Sequence, residues 1–184
     1  MMKTIFLIAL AAATSAGALA QVSAAPLTAS QVFDNRISSA EKEIVPAAEA
    51  MPEEKYAFAP SNGEFKSVRT FAEQVKHLAA ANYQLGARLL GEEPPHHERN
   101  ESAPDSIKTK AEIVEYLKGS FAYLHKAAST FDDQNLVTPM PGTTGTWQRT
   151  RLGIAIDVIA HSYDHYGQIV EYLRMNGIVP PASR

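Results

Sequence analysis

The chain contains no cysteine. That absence excludes disulfides, a lipid-modified N-terminal cysteine and a thiolate nucleophile, so any chemistry must come from histidine, carboxylate, hydroxyl or a bound metal. An excess of positive charge is missing as well: 17 lysines and arginines face 20 acidic residues, for a formal net charge of -3. Nucleic acid is therefore not the expected partner, and no polybasic segment is present to hold an anionic membrane surface. A third absence is an apolar run of the ~20 residues that a membrane-spanning helix needs. The run from Ile5 to Ala13 is too short for that purpose, so no stable membrane anchor is expected.

That N-terminal run has a different reading. Lys3 precedes the apolar stretch and the small-residue sequence Ala18-Leu19-Ala20 follows it, which is the pattern of a secretory signal peptide. Residues 1–20 are thus expected to be removed, with cleavage after Ala20 or, as a later choice, near Ala25. Losing Lys3 changes the net charge by one unit, from -3 to -4. The mature protein is expected to be exported, to a periplasm or to the medium. The remaining length suits one domain with its own core, spanning residues 28–181.

Helical periodicity recurs along this domain in segments separated by proline- and glycine-containing connections. The first predicted helix opens at Thr28 or Ser30 and carries Val32, Phe33, Ile37, Ala40, Ile44, Val45 and Ala48 at helical spacing to about Met51, with a kink or local break at Pro46. The second spans Ser67 to Leu90, closed by Gly91, with Val68, Phe71, Ala72, Val75, Leu78, Ala79, Leu85 and Leu89 on its stripe. Residues 92–106 hold the prolines and the pair His96-His97 and read as an exposed loop. The third helix runs from Thr109 to Thr130, where Thr109 and Glu112 fit the capping box. His125 falls on its exposed flank. Residues 132–146 form a connection without periodicity. Trp147 opens and anchors the last helix, whose apolar residues include Ile154, Ile156, Val158, Ile159, Ile169, Val170 and Leu173 and which ends at Asn176-Gly177.

The last helix carries the chemistry. His161 and His165 are four apart and stack on one helical face, with Gln168 and Tyr172 continuing the stripe. A divalent cation usually takes at least three protein ligands, and the best placed third imidazole is His77 on the second helix. Two familiar alternatives are excluded. The zinc-protease pattern needs Glu directly after the first histidine, where this chain has Ser162; a di-iron bundle needs inward-facing glutamates with Glu-x-x-His pairs, and no such set is present. Around the triad, Asp157 and Asp164 are candidate catalytic carboxylates. Asp157 could also serve as a fourth ligand or a ligand's partner, and Glu73 and Gln168 are candidates for supporting the ligands. The alternative for each carboxylate is a solvated charge on a helix flank.

Two stretches carry a family resemblance: Phe71-Ala72-Glu73-Gln74-Val75-Lys76-His77, and His161-Ser162-Tyr163-Asp164-His165-Tyr166-Gly167-Gln168. With them the chain resembles the DinB-like (DinB/YfiT-type) family of metalloenzymes over residues 28–181. The resemblance implies an all-α four-helix bundle holding one divalent metal ion (Zn, Ni, Mn or Fe) on His77, His161 and His165, with the connection 132–146 near the open end. The family includes metal-dependent transferases acting on low-molecular-weight thiols and a thiol-dependent isomerase. The implied function is a metal-dependent enzyme, of transferase or hydrolase type, on a small-molecule substrate. The rival expectation is a non-catalytic metal- or partner-binding bundle, for instance a homodimer through helix faces.

Overall fold

The computed structural model describes residues 25–64, 66–99, 101–141 and 149–184. These form four long helices, α1 (Ala29–Ala50), α2 (Phe71–Leu90), α3 (Lys110–Ala128) and α4 (Arg151–Met175), with short 3-10 turns at Glu53–Lys55 and Pro181–Ser183. No strand occurs among the described residues, only isolated bridges. Among them, too, no helix is long and apolar enough to cross a membrane. The expected signal sequence at residues 1–20 and the anchor Trp147 lie outside the described residues.

A threonine opens each of the four long helices. Thr28, Thr70 and Thr109 accept from the amides of Gln31, Glu73 and Glu112, and those side chains reach back to the cap amide. Two amides that helix geometry leaves without a partner are satisfied each time. Thr150 caps α4 by accepting from Gly153. These caps correct two predicted boundaries. The second helix starts at Phe71 rather than Ser67, because Ser67 takes a left-handed φ of 62° and the reciprocal Thr70–Glu73 pair sets the true first turn. The last helix starts at Arg151 rather than at Trp147.

Pro46 does not break α1, which continues through it to Ala50. A helix-interior proline costs about 3 kcal/mol, but Ile44, Val45, Ala47 and Ala48 are all buried around it. Burying Ile44 and Val45 returns roughly 1.5–3 kcal/mol each and the two alanine methyls about 0.8 each, so tertiary packing outweighs the lost hydrogen bond. At the other ends, Gly91 and Gly177 take left-handed φ values of 72° and 75°, which suits the residue without a Cβ.

Each of α1 and α2 packs against both α3 and α4. Phe71, Leu78, Leu117, Phe121, Leu124, Ile154 and Ile169 meet in a single core. The alanine run Ala79–Ala81 is buried in α2 and permits close helix approach. Val32 and Ile156, two of the apolar residues on these helices, stand exposed, at 48% and 59%. The consequence for function is the α2–α4 contact, since it brings the one helix's histidine toward the other's pair.

Candidate metal centre

His77 lies on the second turn of α2, and its residue is only 7% exposed; His165 is 5% exposed and His161 is half-buried on α4. One ligand atom from each lies within 4.8 Å of the others. The ring centroids are separated by 4.3 Å for His161–His165, 4.7 Å for His77–His165 and 5.2 Å for His77–His161. Thus the α-helical repeat supplies the pair and the packing of α2 on α4 supplies the third ring.

The rings are held for this task. The Nδ1–H of His77 donates to the main-chain carbonyl of Glu101 at 3.1 Å, which leaves Nε2 with its lone pair free. Gln74 is buried to 1% exposure. Its amide nitrogen donates to His165 Nδ1 at 2.7 Å and to Gln168 Oε1 at 2.6 Å, which puts the proton of the neutral His165 ring on Nε2, facing His161. Gln168 in turn donates to Asp164 Oδ2 at 3.1 Å. A chain of side chains therefore runs from an exposed carboxylate to a buried imidazole.

Electrostatics keep the cluster neutral. Burial, followed by the neighbouring His161 and His77, pushes His165 down to about 3. Burial is also the largest cause holding His77 and His161 below the usual histidine value. Neutral imidazole is the metal-binding form. Nε2 of His165 and Nε2 of His161 face each other at 2.9 Å, so at most one proton fits between them, and Nδ1 of His161 is buried without a partner among the described residues. Three imidazoles converging within 4.8 Å of one another fit a divalent ion.

Two hollows flank the cluster. One of about 770 Å³ is lined by Arg69, Gln74, Asp164, Gln168 and Tyr172 among others, and one of about 510 Å³ by Arg69, Lys76, His77 and Glu101 among others. Both are within the size of small-molecule sites. Arg69 lines both.

The other residues singled out in the sequence take varied positions. Asp157 is exposed and ion-paired with Arg149 at 3.2 Å, and its charge acts on His161, one helical turn further along α4. Glu73 spends its carboxylate on Thr70 in the helix cap rather than on a histidine. Tyr172 donates to the carbonyl of Arg69 at 2.9 Å, tying α4 to the segment before α2. His96 stacks edge-on against Tyr83 and Tyr116. His125 pairs with Asp34 and Glu41 of α1. Three residues of the site were not foreseen: Gln74, Arg69 and Glu101. Gln74 had a signal, since it precedes His77 by one helical turn; the other two come from irregular backbone, where no periodicity marks them.

No curated protein matches the chain. Residues 36–169, from the second turn of α1 to beyond the histidine pair, match the DinB superfamily. The matched stretch covers most of the chain and includes all three histidines, so this protein belongs to the DinB superfamily.

Proposed function

We propose that the protein is an exported, divalent-metal-dependent enzyme of transferase or hydrolase type acting on a small substrate. The observation that carries this reading is the convergence of three neutral imidazoles beside an open hollow that reaches His77. A structural ion would be walled off on every side, whereas a catalytic one needs an accessible face. His77, His161 and His165 would hold one Zn, Ni, Mn or Fe ion. When bound, such an ion polarises a substrate oxygen or sulfur, or lowers the pKa of a bound water.

The protein's own groups divide the remaining work. Glu101 carbonyl and Gln74 orient the rings of His77 and His165. Leu78, Val158 and Ile169 are fully buried in the same helices and exclude water from behind the site. Arg69 lines both hollows, beside Asp164 and Glu171 in the larger one, and is placed to pair with a negative group on a substrate. Asp164 is the carboxylate best connected to the triad, through Gln168 and Gln74, and is the candidate to accept or return a proton on the hollow side. Export rests on the signal pattern of residues 1–20.

The test is elemental analysis of protein purified without an affinity tag from an extracytoplasmic fraction, alongside His77→Ala and His165→Ala. About one divalent ion per chain is expected for the wild type, with at least a tenfold loss in either variant. Equal metal content in all three would remove the centre, and absence of the protein from that fraction would remove export.

A further inference from the structure

We infer that Glu101 is itself a metal ligand, its carboxylate joining the three histidines as a fourth donor on the side facing the hollow. This rests on the metal-centre reading above and deepens it.

Glu101 meets His77 at both ring nitrogens. Its main-chain carbonyl accepts from Nδ1–H at 3.1 Å, while its carboxylate Oε2 stands 3.5 Å from Nε2. With the ring proton on Nδ1, Nε2 and Oε2 confront each other as two acceptors. Facing lone pairs repel unless a cation lies between them.

The distance also discriminates. A direct charge-assisted N–H···O bond would close to about 2.7–2.9 Å. Two donors sharing one tetrahedral ion at ~2.0–2.1 Å each are separated by roughly 3.3 Å. The observed 3.5 Å to His77 is longer than such a bond and near the spacing of fellow ligands; the three histidines form the compact group by themselves, so the exposed carboxylate joins them by a change of rotamer.

The backbone agrees. Glu101 takes a φ of 55°, the left-handed region, a strained conformation for a residue with a Cβ. Ser102 donates to the carbonyl of Arg99 at 3.0 Å, and this turn holds the strained residue with both its carbonyl and its carboxylate directed at His77. No ion pair other than that with His77 engages the carboxylate among the described residues. The side chain is 46% exposed and lines the smaller hollow, so it reaches the ion from the substrate's side, while the imidazoles come from the bundle interior. A carboxylate there lowers the site's net charge by one unit and occupies a position that an incoming substrate must share or take.

The test uses metal-free full-length protein as wild type, Glu101→Ala, Glu101→Gln and His77→Ala. Zinc affinity is measured by competition with a chromophoric chelator, and cobalt(II) loading gives the ligand-field spectrum. Neither substitution at 101 removes the carbonyl contact to His77, and circular dichroism checks the fold. A ligand carboxylate predicts zinc binding weakened by about 10–100-fold in both Glu101 variants, with altered cobalt band positions and intensities. Wild-type affinity and spectrum in both variants would overturn the inference while leaving the three-histidine centre intact, provided His77→Ala loses binding. Weakening in Glu101→Ala but not in Glu101→Gln would also overturn it, since a neutral hydrogen bond would then suffice. Failure of the wild type to bind either ion would instead overturn the centre itself.

Discussion

Gln74 shows how a single buried side chain connects packing to chemistry. It is only 1% exposed, yet it reaches both His165 and Gln168. An unpaired buried polar group costs about 1–3 kcal/mol, so Gln74→Ala, which strands the His165 nitrogen, is expected to lower stability by that amount. It is also expected to weaken zinc binding by about 10–100-fold, the usual consequence of removing a ligand's hydrogen-bond partner. Paired urea denaturation and chelator competition check the two effects separately. Retention of wild-type metal affinity would show that His165 needs no such partner.

Among the helices, the α2–α3 contact depends on a missing side chain. A Cβ at Gly119 would collide with the Tyr83 hydroxyl, and Tyr83 is only 6% exposed, with little room to move aside. Alanine gains about 1 kcal/mol of helix propensity over glycine, but overpacking costs about 1–3 kcal/mol. Gly119→Ala is thus expected to be neutral to destabilising by as much as ~2 kcal/mol. Gly167 on α4 has nothing within 4 Å of the same added atom, so Gly167→Ala is expected to stabilise by about 0.5–1 kcal/mol. Thermal unfolding of the two variants side by side tests the contrast, and a shared sign would contradict it. The same interface holds an unforeseen feature of the loop 92–106. Glu98 is buried to 6% exposure and accepts from the Tyr116 hydroxyl at 2.7 Å, pushing that tyrosine well above its usual range after burial has already raised it.

Over the whole bundle, α1 is fastened to α3 by His125, which meets Asp34 at 2.6 Å and Glu41 at 3.3 Å. Burial alone would lower its pKa, but the hydrogen bonds and charges of Asp34 and Glu41 prevail and raise it. A folded-state value above the unfolded one stabilises the protein fully below the unfolded pKa of about 6.5, and this contribution disappears as pH rises through the folded value. The groups are partly exposed, so the contribution is about 0.5–1 kcal/mol after solvent screening. The stability difference between wild type and His125→Ala is expected to be largest near pH 5.5 and to shrink by pH 9, measured by chemical denaturation at both. A difference independent of pH would assign His125 a packing role only.

Helix number, the capping box at Thr109 and the glycine stop at Gly91 were all legible in the amino-acid order. Each is a local matter, governed by side-chain periodicity and by the backbone freedom of a residue with its neighbours. His161 and His165 were legible for the same reason, because a helix places them on one face regardless of what surrounds it. The nearness of His77, the exposure of Ile156, the burial of Glu98 and the placing of Gln74 and Glu101 were settled only by tertiary structure. Convergence of groups tens of residues apart depends on which helix faces pack together, and the loop backbone that aims Glu101 follows no period. The sequence by itself determined a helical bundle bearing a histidine pair; the docking of α2 on α4 decided that the pair has a third partner and an approach from solvent.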